Sequence, residues 1–287
     1  MDNVDFSFLS KRKGKRLYWV YMRKLFIYFV VAIVAVTVIV VIGYSSLWGQ
    51  ISIGILASTL PLIIDSVNNL KFSRLKEGIY IYFLFHNKLV RLSIAYLIRI
   101  KIGNQYLLVR GERLAHQYQP VGGAYKFYQT ALTFLQSIES QDDNMVDVDD
   151  ASKNDLRIRI KGKYYFKFWK WFYSGKDREL SPHREFYEEL IKSGIIDSDN
   201  FHYLEYNIIG ENRLFHKYSD YARGPEVILC IIHDLLPNEQ QKSDFSSIIH
   251  KTSDLYYWAT EDEIVHKGVI PQKKYNHLFS ETSKWIL

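Results

Sequence analysis

"SPHREFYEELIKSGII", residues 181–196, sets an arginine and three glutamates in one short amphipathic run. Glu185, Glu188 and Glu189 stand at i, i+3 and i+4, so a helix carries all three carboxylates on one face. Ser181 is a preferred capping residue and Pro182 suits a first helical turn, which places the helix at about 182–193. Crowded carboxylates repel one another, and the usual remedy is a divalent cation such as Mg²⁺ that bridges to phosphate oxygens. Arg184, one turn before Glu188, offers another remedy, an i,i+4 ion pair on a solvated face. The spacing leaves both open: a catalytic and metal-binding trio of Glu185, Glu188 and Glu189, or a surface helix.

Toward the N-terminus the composition changes. Residues 25–43 and 47–64 are two uncharged runs joined by "YSS". Each approaches the length of about 20 residues that crosses a bilayer as a helix, so the pair predicts a two-helix transmembrane hairpin. Residues 1–24 form a basic arm, and Lys71, Arg74 and Lys76 follow the second run, while the link has no charge. The positive-inside rule then puts both termini on the cytoplasmic side. The net charge of +6 is in part this membrane-surface arm. Gly54 and Ser58, with Gly49 and Ser52 one turn earlier, are small residues that permit close helix packing and a homo-oligomer.

Residues 65–91 read as a juxtamembrane connector and 92–287 as one cytoplasmic α/β domain with a mixed sheet and few helices. "IAYLIRIKI", the turn "GN" and "QYLLVRGER" predict a β-hairpin. The glycine pair of "QPVGGAYK" marks a sharp turn, and an acidic insertion near 139–155 reads as a solvated loop. "LRIRIKGKYYFKFWKWFYSG" alternates as a strand that turns at Gly162, and strands and loops fill the remainder. Cys230, the lone cysteine, falls in "VILCII" and reads as a buried strand residue. His183, His202, His216 and His233 have no metal-ligand spacing.

The ligand-binding candidates follow from chemistry. Gly122 and Gly123 let backbone N–H groups approach phosphates, and Gln117, Gln119, Tyr125 and Lys126 flank them with donors and a ring. On "KGKYYFKFWKW", residues 161–171, one strand face would carry Lys163, Tyr165, Lys167 and Trp169, charge for phosphate and rings for bases, with Tyr164, Phe166 and Phe168 packed inward. Arg184 completes the set.

The order of these parts resembles the Nudix family: a hairpin, a Pro-x-Gly-Gly segment, a helix with "REFYEE" and a late "YYWATEDEI". "REFYEE" keeps that family's Arg-Glu-x-x-Glu-Glu, but "LSPH" stands where seven residues belong after the preceding glutamate, so Glu179 sits too close, and the following glycine arrives late, at Gly194. An alternative register on "EELIKSGI" puts Lys192 and Ser193 where the metal-binding pair belongs. The helical hairpin together with "YQPVGGAYK" resembles a narrower group, the SMODS-associated Nudix effectors of bacterial CBASS anti-phage operons (CD-NTase-associated protein 16 type). The resemblance implies a Nudix-like α/β/α domain. It further implies an inner-membrane effector that senses a cyclic oligonucleotide, needs no cofactor for sensing, has the lipid bilayer as its other partner and binds no DNA or RNA polymer. The alternative it leaves is a membrane-tethered Mg²⁺-dependent hydrolase of a nucleoside-diphosphate derivative.

Overall fold

The computed structural model describes residues 13–69, 73–111, 117–143, 153–269 and 278–287, with the side chains of 13–26, 64–69, 73 and 75 excepted. The chain divides into two compact units, 1–79 and 80–287.

The first unit holds helices α1 (Lys13–Ile42) and α2 (Leu47–Asn69), which pack on one another. At their link Ser46 Oγ donates to the Gly43 carbonyl at 2.8 Å and accepts from Gly49 N at 3.0 Å. Ser52 is buried, whereas Gly54 faces open space and Ser58 is exposed. The expected membrane spans require correction. Among the described residues no helix is long and apolar enough to cross a membrane. The two-span inner-membrane placement falls with those spans. The basic arm up to residue 12 and Lys71 lie outside the described residues, as do the side chains of Lys13–Lys24.

Helix α3 (Ser73–Leu84) occupies much of the expected connector, and the domain's first strand begins earlier than expected, at Leu89. This strand, β1 (Leu89–Arg99), is the spine of the second unit. Its residues alternate between two faces: Val90, Leu92, Ile94, Tyr96 and Ile98, all buried, on one, and Arg91 and Leu97, buried, with half-buried Ser93 and Ala95 on the other. Such double burial fits an internal strand of a mixed sheet.

Strands β2 (Lys101–Ile102) and β3 (Gln105–Arg110) form the expected hairpin around Gly103–Asn104. Then β4 (Gln117–Ala124) returns antiparallel to both β3 and the second half of β1. Helix α4 (Leu132–Ser137) and the short β5 (Gln141–Asp142) precede β6 (Arg157–Lys161), which pairs with the first half of β1. After α5 (Tyr165–Phe172) and α6 (His183–Phe186), the latter continued by a π-helical turn Tyr187–Ile191, come β7 (Tyr206–Ser219) and β8 (Gly224–Leu235). Strand β8 runs parallel to β1 along Arg91–Arg99 and antiparallel to β7. Helix α7 (Glu239–Ile249), β9 (Tyr256–Thr260) against β3, α8 (Glu261–Val265) and β10 (Leu278–Phe279) complete the unit.

Side chains from α5, α6, the π turn and α7 cover one face of this sheet, with Phe168, Phe172, Phe186, Leu190 and Phe245 all at 0% exposure. Ile264 of α8 and the C-terminal Ile286 cover the other. The result is the expected α/β/α arrangement. Cys230 is buried in β8 as expected.

Four local expectations change. The 157–174 stretch is a strand only to Lys161; Tyr165–Phe172 is helical because Tyr165, Phe168, Trp169 and Phe172 repeat at i, i+3, i+4 and i+7 and bury one face. In place of separate strands and loops, residues 206–219 form one long strand, β7, that accommodates irregular pairing at Ile208/Gly210 and His216/Ser219. Part of the acidic insertion is ordered and buried: Asp143 accepts from Arg91 Nη2 at 2.6 Å, with Glu226 on the same guanidinium, and all three are at most 5% exposed. Residues 144–152 lie outside the described residues. The sharp turn expected at Gly122-Gly123 is instead the middle of a ladder, with Gly122 opposite Leu97 and Gly123 opposite Tyr96.

A Cβ at Gly122 would lie 2.3 Å from the Tyr96 carbonyl oxygen and 2.9 Å from the Leu97 Cα; at Gly123 it would lie 1.9 Å from Glu185 Oε1. The first obstacle is backbone and the second is the end of a movable side chain. Gly122→Ala is therefore expected to lower stability by about 1–3 kcal/mol, and Gly123→Ala by less, with Glu185 displaced. Urea unfolding of the two variants checks this; equal losses would show that the sheet yields as readily as the carboxylate.

Candidate functional site

The helix that opens at His183 approaches the β4 glycines with its glutamate face. Pro182 occupies the cap position, and Ser181 Oγ accepts from His183 N at 3.3 Å, so Ser181 serves the helix end from one residue further out than expected. The π turn inserts one extra residue per turn. Phe186 and Leu190 are then both fully buried, while Glu189 reaches β4: its Oε2 accepts from Gly122 N at 2.9 Å. The backbone donor expected for phosphate is thus held by a carboxylate of the same protein.

Arg184 gathers the remaining acids. Its Nε donates to Glu179 Oε1 at 3.2 Å, Nη1 to Glu185 Oε1 at 2.6 Å and to Glu188 Oε2 at 3.1 Å, and Nη2 to the Ala124 carbonyl at 3.0 Å. The i,i+4 pair with Glu188 is one arm of this larger clamp. Glu179 is buried and shared further: Oε2 accepts from the Tyr96 hydroxyl at 3.4 Å and from Lys126 N at 3.3 Å. Glu179 stands too near in sequence for the family spacing, yet it reaches the guanidinium because residues 175–181 fold back beside β4, where Glu179 N donates to the Lys126 carbonyl.

Electrostatics follow from burial. Burial alone would lower the Arg184 pKa, but Glu185, Tyr96 and Glu179 outweigh it and hold the guanidinium charged. Glu185 is pushed above the usual carboxylate range by burial, with Arg184 opposing. Tyr96 is driven strongly upward by burial first and by the Glu179 charge second. Next to it Tyr125 is 2% exposed, and its hydroxyl meets His233 Nε2 at 3.2 Å. Burial lowers the His233 pKa to about 4.

Among the expected ligand groups, the structure brings together Gly122, Gly123 and Arg184, with Glu185, Glu188 and Glu189. Gln117 and Gln119 lie upstream on β4, and Lys126 follows it with its Nζ on the Lys153 carbonyl and Asp155. Tyr125 is a core residue. The other four are not on one strand face: Tyr165 and Trp169 are buried in the core, while Lys163 pairs with Glu139 and Lys167 Nζ donates to Ser137. Phe166, expected inside, is 41% exposed. Tyr96, Glu179 and His233 were not among the expected site residues; only the alternation of β1 and β8 marked Tyr96 and His233 as inward.

Glu188 and Glu189, with Arg110 and Ser193, border a cleft of about 280 Å³. The glutamates as placed face Arg184 and Gly122, and among the described residues no group of three or more His, Cys, Asp or Glu is arranged to hold a metal ion. The arrangement is chemically a clip that joins a helix to a sheet, with one carboxylate edge left to solvent at Glu188.

Two outcomes test this electrostatic arrangement. Arg184→Ala strands two largely buried carboxylates and is expected to cost about 3–5 kcal/mol; Arg184→Lys restores only part, since an ammonium lacks the planar fork that reaches Glu179, Glu185 and Ala124 together. Urea denaturation reads both, and full rescue by lysine would reduce the clamp to a point charge. For His233 the folded pKa lies below the unfolded value of 6.5. Its neutral form therefore favours folding fully above pH 6.5, and about 3 kcal/mol is lost as pH falls from 6.5 to 4. Stability curves of His233→Gln should be flatter across that window than those of the parent protein.

Comparison with known proteins bears on the same unit. The model of the SMODS-associated NUDIX domain matches residues 89–287. Among solved structures, the crystal structure of C. elegans Ap4A hydrolase is similar at 11% identity and a TM-score of 0.25, covering 62% of this chain and 84% of that one; a likeness that low carries no argument. No curated protein matches the sequence. The family match begins at the first residue of β1 and runs through the clamp to the C-terminus, and the chain therefore belongs to the SMODS-associated NUDIX domain family.

Proposed function

We propose that the 89–287 domain binds a cyclic oligonucleotide second messenger and signals its presence without hydrolysing it, as the sensing part of a bacterial anti-phage effector. The observation that carries this reading is the Arg184 clamp. Glu185 and Glu188 both accept from one guanidinium, and Glu189 accepts from Gly122 N, so the helix is used to hold the domain's shape. Family membership supplies the ligand class: SMODS-associated domains are expected beside an enzyme that makes such nucleotides. Gln119, Lys126 and Arg184 are the retained ligand candidates, since Tyr125, Tyr165 and Trp169 are committed to the core. For sensing to become a signal, the nucleotide must bind one arrangement of the protein better than another. Rupture of a membrane is no part of this reading.

A second reading is a Mg²⁺-dependent hydrolase of a nucleoside-diphosphate derivative, favoured by Glu188 and Glu189 sharing one cleft. One experiment separates the two. The full chain is incubated with labelled cyclic di- and trinucleotides and with nucleoside-diphosphate derivatives, with and without Mg²⁺, and both retention and breakdown are scored. Retention of a cyclic species, intact and independent of Mg²⁺, is expected. Mg²⁺-dependent breakdown that disappears in Glu188→Gln and Glu189→Gln would establish the hydrolase instead.

A further inference from the structure

Arg178 is 8% exposed, yet none of its hydrogen bonds goes to a carboxylate among the described residues. Its Nε donates to the Phe172 carbonyl at 2.8 Å and Nη1 to the Glu179 carbonyl at 2.6 Å. The guanidinium lies over the Phe172 ring, 4.0 Å from its centroid, and 5.1 Å from that of Tyr125. These contacts fix the planar group but leave Nη2 without a protein acceptor among the described residues. A buried cation that lacks a counter-charge is costly, and burial here lowers the Arg178 pKa.

The same side chain lines a cleft of about 410 Å³. Around it stand Tyr128, whose ring is 54% exposed, Leu180, Ser181, His183 and Arg184. Asp177 and Glu179 also line it. The Glu179 carboxylate is occupied by Arg184, Tyr96 and Lys126 N, which leaves Asp177, an exposed residue, as the acid free to repel an anion. A guanidinium with an open donor beside an exposed aromatic face matches a phosphate next to a base, because guanidinium geometry suits phosphate oxygens and any base stacks on a ring.

We propose that this cleft seats one nucleotide unit, with Arg178 Nη2 donating to a phosphate oxygen and the adjoining base stacked on Tyr128. The site borders the clamp through Arg184 and Glu179 but includes neither Glu185, Glu188 and Glu189 nor the β4 glycines, and it deepens the messenger-binding reading, on which its biological role rests. It also gives that binding a mechanical route. Arg178 Nη1 holds the carbonyl of Glu179, whose carboxylate holds Arg184, so a phosphate on Arg178 loads the clamp directly.

The test uses the full chain and calorimetric titration with AMP, adenosine, inorganic pyrophosphate and cyclic di- and trinucleotides. AMP is expected to bind more tightly than adenosine. Tyr128→Ala should weaken AMP roughly tenfold through lost stacking while sparing pyrophosphate, and Arg178→Lys should weaken both. Should Arg178→Lys fail to fold, Tyr128→Ala, at an exposed ring, still decides through its AMP-against-pyrophosphate split. AMP affinity unchanged in the variants, or no AMP binding by the parent protein, overturns the seat. A cyclic nucleotide bound equally by parent and variants would overturn the seat and leave the messenger reading standing. AMP binding that is sensitive to both variants, without affinity for any cyclic nucleotide, would support the seat and overturn the messenger reading.

Discussion

A single guanidinium has to satisfy Glu179, Glu185 and Glu188 in a partly buried site, and much of the domain is arranged around that demand. Carboxylates this close are stable as anions only while a cation lies among them. Arg184 supplies it, and its remaining donor ties the helix to the Ala124 carbonyl of β4. The sheet answers with two glycines. At Gly123 the absent side chain makes room for Glu185, and at Gly122 the free N–H meets Glu189. Charge neutralisation, strand composition and helix position are therefore one constraint, since moving any of the three leaves a buried polar group unpaired.

The spine strand β1 connects this clamp to the rest of the domain. Tyr96 donates toward Glu179 from the middle of β1, and Arg91, two pleats away on the opposite face, is closed by Asp143 and Glu226. Arg91–Asp143–Glu226 joins β1, the start of the acidic insertion and β8, so a buried arginine in the spine strand becomes a tie across three segments. Against Tyr96, Tyr125 and His233 form a neutral, desolvated pair. Arg178 differs from both other arginines in having backbone carbonyls and rings about it in place of carboxylates. That contrast sets its cleft apart.

Several elements were legible because their signals are local. The hairpin at Gly103–Asn104, the internal strand around Cys230 and the "REFYEE" helix each follow from alternation, turn chemistry or i,i+4 spacing. Helix α7 falls where the sequence reading placed only strands and loops, although Asn238 and Gln241 form a reciprocal capping box, a pattern present in the sequence as Asn-x-x-Gln. Helix α5 was misread because "KYYFKFWKW" alternates charge and ring while it also repeats rings at helical spacing. Aromatic residues favour strands, and only a place to bury Tyr165, Phe168, Trp169 and Phe172 together selects the helix.

The sequence by itself determined the residue types at the site and their order, including three glutamates on one helical face and an arginine one turn from Glu188. It also carried the uncharged runs that suggested membrane spans, a suggestion about length and apolarity that the described helices do not meet. The tertiary structure decided what those residues touch. Glu179 joins Arg184, and Gly122-Gly123 is a ladder segment under a helix, because the 175–181 loop folds back along the end of β4. Asp143 is buried because Arg91 lies across from it. Each of these depends on contacts between residues tens of positions apart, where leaving a buried charge unpaired costs more than any local preference gains, and no periodicity along the chain records such a pairing.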